Sequence, residues 1–141
     1  MTPLHEALGG RKAFRDEPAS LGEWVKRINA GLPVASALAI KDALHLTQEE
    51  LGRLLGVSTR TVLRWSPNAK LDSVSGDRLV RTARLLAIAT GVLEDQSAAA
   101  RWLRAPQSAL GDAIPLEVAA TDVGARAVED LLGRMEHGVY T

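Results

Sequence analysis

The sequence has no cysteine, which removes disulfides and thiolate metal centres from consideration. Aromatic residues are scarce, 4% of 141 positions, and runs of β-branched residues are rare, so little in the chain asks for a β-sheet. No uncharged stretch is long enough to cross a bilayer. The longest, from Ile28 to Ile40, is interrupted by Gly31 and Pro33. Met1 to Gly10 lack a basic region followed by an apolar one, so no signal peptide is expected and a cytoplasmic address is the default. Net charge is absent as well, with 17 basic and 17 acidic side chains.

What fills the chain is alanine (22) and leucine (21), with 46% hydrophobic and 24% charged residues overall. That composition suits a globular, all-α protein with a real core. The charges are unevenly spread. Residues 51–91 hold seven basic groups (Arg53, Arg60, Arg64, Lys70, Arg78, Arg81, Arg84) against Asp72 and Asp77, whereas residues 92–141 hold four basic and eight acidic groups. A basic middle followed by an acidic end points to two binding surfaces of opposite sign.

Three segments are expected. Residues 1–19 mix Pro, Gly and charge without periodicity and read as flexible. Residues 20–91 read as a helical domain. Ser20 stands three before Glu23, a capping-box spacing, with Trp24, Val25 and Ile28 on one face and Gly31 as a stop. Pro33 suits the first turn of the next helix, lined by Ala37, Ile40 and Leu44 with Leu38 alongside. After a turn-rich 66–76, a long helix is expected from about Asp77 to Thr90, ended by Gly91. Residues 92–141 read as a second helical domain: a helix near Ser97–Arg104, an irregular 106–116, and a last helix from Thr121 or Asp122 whose Val128, Leu131, Leu132 and Met135 repeat as a buried stripe.

Within 20–91, Thr47 to Trp65 carries the marks of a helix-turn-helix. Thr47 and Glu50 form a capping box, Gly52 allows close approach of the partner helix, and Gly56 fits a left-handed turn. Leu51, Leu55, Val57 and Val62 form an apolar wedge, and Ser58 caps the second helix. That helix projects Thr59, Arg60, Thr61 and Arg64, with the two arginines one turn apart. Arginine can donate two parallel hydrogen bonds to guanine, and threonine can meet a thymine methyl or a phosphate. The candidate DNA-binding residues are Gln48, Ser58, Thr59, Arg60, Thr61, Arg64 and Lys70. Trp65 fits packing better than base stacking.

Beyond this motif the chain resembles the Xre/MbcA/ParS antitoxins, the partners of RES-domain toxins, over about residues 22–140. The marks are the helix-turn-helix; Asp77-Arg78-Leu79 with Arg81; Ala100-Arg101-Trp102-Leu103 with Pro106; Ala109-Leu110-Gly111; Pro115-Leu116-Glu117; Thr121-Asp122-Val123-Gly124; and Val128 to Leu132 with Arg134 and Gly138. Asp112, Gly76 and Gly52 depart from the pattern, where glycine, serine and alanine respectively are commoner. The resemblance implies a protein that binds operator DNA through its first half and blocks an NAD-consuming RES toxin through its second; a homodimer is expected because one short recognition helix contacts few base pairs and two half-sites raise affinity. It implies toxin contacts at Trp102, Leu110, Pro115, Val128, Leu132 and Met135, and a blocking tail of Gly138, Val139, Tyr140 and Thr141. Trp102 also fits ordinary core.

Enzyme chemistry finds no footing. His5, His45 and His137 lie far apart with no metal-ligand spacing, Glu49/Glu50 and Glu129/Asp130 are adjacent on helices and so diverge, and no glycine-rich phosphate loop follows a strand. Neither a cofactor nor a membrane is expected. The alternative reading is a stand-alone helix-turn-helix regulator whose second half dimerises or binds a ligand. A neighbouring reading frame encoding a toxin would decide between the two.

Overall fold

The structure, a computed structural model, describes residues 3–10, 13 and 17–138, and those residues are helical with no strand beyond isolated bridges. The chain forms two compact units that divide between Ala83 and Arg84. None of the described helices is long and apolar enough to cross a membrane.

In the first unit, α1 (Pro3–Ala7), α2 (Leu21–Ala30), α3 (Val34–Ala43), α4 (Gln48–Leu55) and α5 (Thr59–Arg64) precede the long α6 (Ser73–Leu93). The stretch expected to be flexible contains α1, which packs on α3 and buries His5, Ala7 and the following Leu8. Five residues are too few to show a period, so composition hid this helix. Ser20 caps α2 by accepting from the Glu23 amide at 3.2 Å, and Glu23 reaches back to the Ala19 amide at 2.6 Å. Gly31 ends the helix at φ 104°. The face of α2 is less covered than expected. Trp24 and Ile28, four apart, are half-buried, whereas Val25 sits 100° further round and stays 48% exposed.

Pro33 proves to be the cap residue of α3 rather than a member of its first turn. Ala37, Ile40 and Leu44 are fully buried as their spacing requires, and Leu38, off that line, is 43% exposed. The core of this unit adds Leu32, Val34, Leu51, Leu55, Leu71 and Leu79, each side chain contributing about 1.5–3 kcal/mol by leaving water. Residues 69–71 run antiparallel to 32–34. The Val34 amide donates to Ala69 O at 3.0 Å and the Leu71 amide to Leu32 O at 2.8 Å. Pro33, which has no N–H, faces Lys70 in the bridge.

The long helix starts earlier than expected, because the Asp72 carboxylate accepts from the Ser75 amide at 2.8 Å and so caps a turn that the Ser/Gly-rich sequence disguises. It also runs through Gly91. The stop falls at Glu94, whose φ is 59°, followed by Asp95, which caps the next helix.

The second unit continues from Arg84 with α7 (Gln96–Arg104), a 3-10 turn (Ser108–Leu110), α8 (Pro115–Val118) and α9 (Asp122–Glu136). Helix α8 packs on both α7 and α9. Gln107 pairs with Ala113 across a tight loop, and its side-chain amide donates to Trp102 O at 2.9 Å, closing the end of α7. Gly111 and Asp112 both hold φ 65°. Aspartate tolerates that region better than most residues. Thr121 caps α9 by accepting from the Gly124 amide at 3.0 Å, and Ala125, Val128, Leu131 and Leu132 form its buried side.

A Cβ placed on Gly124 would collide with the Val118 carbonyl, so α8 and α9 meet backbone to backbone there. Gly124→Ala, which helix propensity alone would favour by about 1 kcal/mol, is expected instead to destabilise the protein by about 1–3 kcal/mol. Chemical denaturation followed by circular dichroism measures the sign, and a stabilised variant would refute the close contact.

Candidate functional site

The candidate surface is built on α4 and α5, with its basic groups Arg60 and Arg64 on α5. Both halves of the Thr47/Glu50 capping box are present: the Thr47 amide donates to Glu50 Oε1 at 2.9 Å, and the Glu50 amide to Thr47 Oγ1 at 3.0 Å. At the other end, Gly56 adopts φ 77°, and the Val57 amide donates to Gly52 O at 2.9 Å. A Cβ on Gly52 would lie 2.7 Å from Val57 O, so α4 meets the turn where only hydrogen fits without a shift. Ser58 then caps α5, accepting from the Thr61 amide at 3.1 Å while its hydroxyl bonds that of Thr61 at 3.0 Å. The Ser58 oxygen is thereby used within the protein.

Helix α5 has six residues, too short to persist alone. Its anchor is Val62, its one buried residue, on a helix that packs against α4, whose Leu51 and Leu55 are buried as well. Val57, the fourth residue of the expected wedge, is half-buried. The start of α6 adds a second brace. The buried Ser75 hydroxyl lies 3.0 Å from Leu55 O and 3.1 Å from Asp72 Oδ2, its single proton shared between two acceptors. The Arg78 guanidinium packs over Gly56, where a Cβ would have to displace it. The sequence reading missed this brace. Its only signal was Asp72 three residues before Ser75.

With the turn held, Arg60, Thr61 and Arg64 are exposed and Thr59 is half-buried. Neither arginine pairs with a carboxylate among the described residues. Gln48 is exposed on the first turn of α4, and Lys70 is exposed on the backbone-paired segment beside Pro33. Asp77 is drawn toward Arg81 at 3.6 Å. Trp65 is half-buried, as a packing role requires. Such a surface offers donors and positive charge, a match for phosphates and the guanine edge.

The second unit treats its expected contact residues differently. Pro115, Val128 and Leu132 are buried, the last two completely. Their side chains therefore build this unit's core and are not available to touch a partner; for Val128 and Leu132 the helical spacing that made them conspicuous is what turns them inward. Trp102, Leu110 and Met135 are half-buried, and Gly138 is exposed at φ 73°. Val139, Tyr140 and Thr141 lie outside the described residues. The exposed side of α9 presents Asp122, Val123, Arg126, Ala127 and Asp130, with Arg126 bonded to Asp122 at 3.1 Å. Arg84 and Glu129 pair at 2.6 Å. Glu94, Asp95, Asp112, Glu117 and Glu136 are also exposed, giving this unit its acidic surface. Among the described residues, no three His, Asp or Glu side chains gather as a metal site requires.

Known proteins divide the chain in a similar way. Residues 23–84 match the model of the antitoxin Xre-like helix-turn-helix domain, and residues 89–138 that of the antitoxin Xre/MbcA/ParS C-terminal toxin-binding domain. A protein of Photorhabdus laumondii named Antitoxin Xre is 30% identical over 127 residues, covering 88% of this chain and 86% of its own. A protein of the same name from Yersinia enterocolitica is 30% identical over 131 residues with the same coverage, and one from Pseudomonas putida is 27% identical over 136 residues, covering 95% of this chain and 85% of its own.

The brace on the turn has a pH signature. The hydrogen bond from the Ser75 amide holds the Asp72 carboxyl below its ordinary value, outweighing the opposing effect of burial. A carboxyl depressed on folding contributes stability above its unfolded pKa, and that contribution fades as pH falls through the lower folded one. Asp72→Ala is expected to cost about 1 kcal/mol near neutrality. The gap to wild type should narrow below about pH 4. Urea titrations at several pH values test this; a pH-independent gap would show that the carboxylate charge plays no part.

Proposed function

The chain belongs to the Xre family of antitoxins, and on that premise we propose that it represses its own operon through α5 and neutralises a cognate RES-domain toxin through its second half. The observation that carries the DNA-binding part is the exposed pair Arg60 and Arg64, one turn apart on a helix anchored by Val62 and capped by Ser58. Arg60 and Arg64 are the base readers in this proposal, Thr59 and Thr61 flank them, and Gln48 and Lys70 hold phosphates. Six residues of helix span few base pairs, so a homodimer on two half-sites supplies the affinity.

For the toxin, the support is the match of residues 89–138 to a toxin-binding domain and the acidic surface of that unit. A pocket that handles NAD must attract phosphates, so its basic mouth favours an acidic cover. Trp102, Leu110 and Met135, with whatever follows Gly138, are the contacts proposed; Pro115, Val128 and Leu132 hold them in place. The protein acts in the cytoplasm as a non-enzymatic regulator.

The two activities are expected to separate. The double variant Arg60→Ala, Arg64→Ala should lose operator binding by roughly two orders of magnitude or more, while still co-purifying with the product of the adjacent toxin gene. Unchanged operator binding in a gel-shift titration would sink the reader assignment. Removing residues 138–141 should leave operator binding intact and restore NAD consumption by the toxin in the mixed assay. Full protection by the shortened chain would rule out the tail as the blocking element.

A further inference from the structure

The outward surface of α5 contains one residue that fits neither packing nor phosphate contact. Leu63 is 60% exposed, between Arg60 and Arg64 in sequence. Val62 fixes which side of α5 faces α4. Leu63, 100° further round, falls on the flank shared by Thr59 four residues earlier and Arg60 three earlier. Most of it is open to solvent, and the residues four and three before it on the helix, Thr59 and Arg60, are polar and charged. On the floor of the major groove the only apolar group is the C5-methyl of thymine. An exposed leucine beside an arginine that reads guanine therefore meets the one feature there that rewards it.

We infer that Leu63 is a specificity residue for thymine, contacting the methyl of a base next to the one Arg60 reads. This rests on the DNA-binding reading of α5 and deepens it by naming a base preference. A thymine methyl buried against leucine removes roughly one methyl group from water. The gain is modest in affinity but absolute in dependence on that methyl. A role for Leu63 in a protein contact, or none at all, predicts indifference to the methyl.

The experiment uses the full chain and a duplex from the region upstream of its own gene, first footprinted and then resynthesised with deoxyuridine in place of each protected thymine in turn. Uracil pairs as thymine does and lacks only the methyl. At one thymine in each half-site, the wild-type chain is expected to bind about threefold to tenfold more weakly after replacement. Leu63→Ala should bind the unmodified duplex more weakly by a similar factor and be insensitive to uracil at that position, so that the two losses do not add. Wild-type binding that ignores every replacement, or a Leu63→Ala variant that keeps the same sensitivity, overturns the inference while leaving the DNA-binding reading standing. A wild-type chain that protects no DNA in the upstream region overturns both.

Discussion

A buried hydroxyl holds the turn between α4 and α5 together. The last turn of any helix leaves carbonyls without partners, and a short helix cannot afford to lose one inside a protein. Here Leu55 O at the end of α4 is met by the Ser75 hydroxyl, itself steadied by Asp72. Gly56 and Val57 return their amides to Arg53 and Gly52. The turn between α4 and α5 is thus satisfied from both sides, and α5 inherits a fixed direction. Without that constraint, six residues with one buried side chain would have no reason to be helical or to present two arginines together.

Much of this was legible because caps and turns act locally. Thr47 with Glu50, Ser20 with Glu23, and Ser58 each announce a helix start through a side chain that reaches a backbone amide three residues away, and the structure contains each of those bonds; Thr121, at the expected start of the last helix, proves to cap it in the same way. The wedge of Leu51, Leu55 and Val62 was equally plain, being set by helical spacing. The all-helical fold followed from the same local signals added along the chain.

What escaped was set by tertiary partners. Helix α1 has too few residues for a pattern and is helical because α3 offers it a surface. The first turn of α6 looked like a loop because Ser and Gly weigh against a helix, and the capping aspartate outweighs them. Pro115, Val128 and Leu132 drew attention by their position in a pattern, but pattern alone does not separate residues that shape a surface from residues that form it. Leu63 went unnoticed for the opposite reason: a leucine beside a buried valine reads as core until its exposure is seen.

The length of α5 also sets a ceiling on information. Six residues make a rod of about 9 Å, against roughly 3.4 Å between successive base pairs. One such rod can register about three of them. A word that short recurs by chance many times in any chromosome, so no choice of side chains on a single copy can mark one address. Where such a rod reads DNA, selectivity resides in grammar more than vocabulary: in the distance and orientation between repeated words, which a single helix does not set.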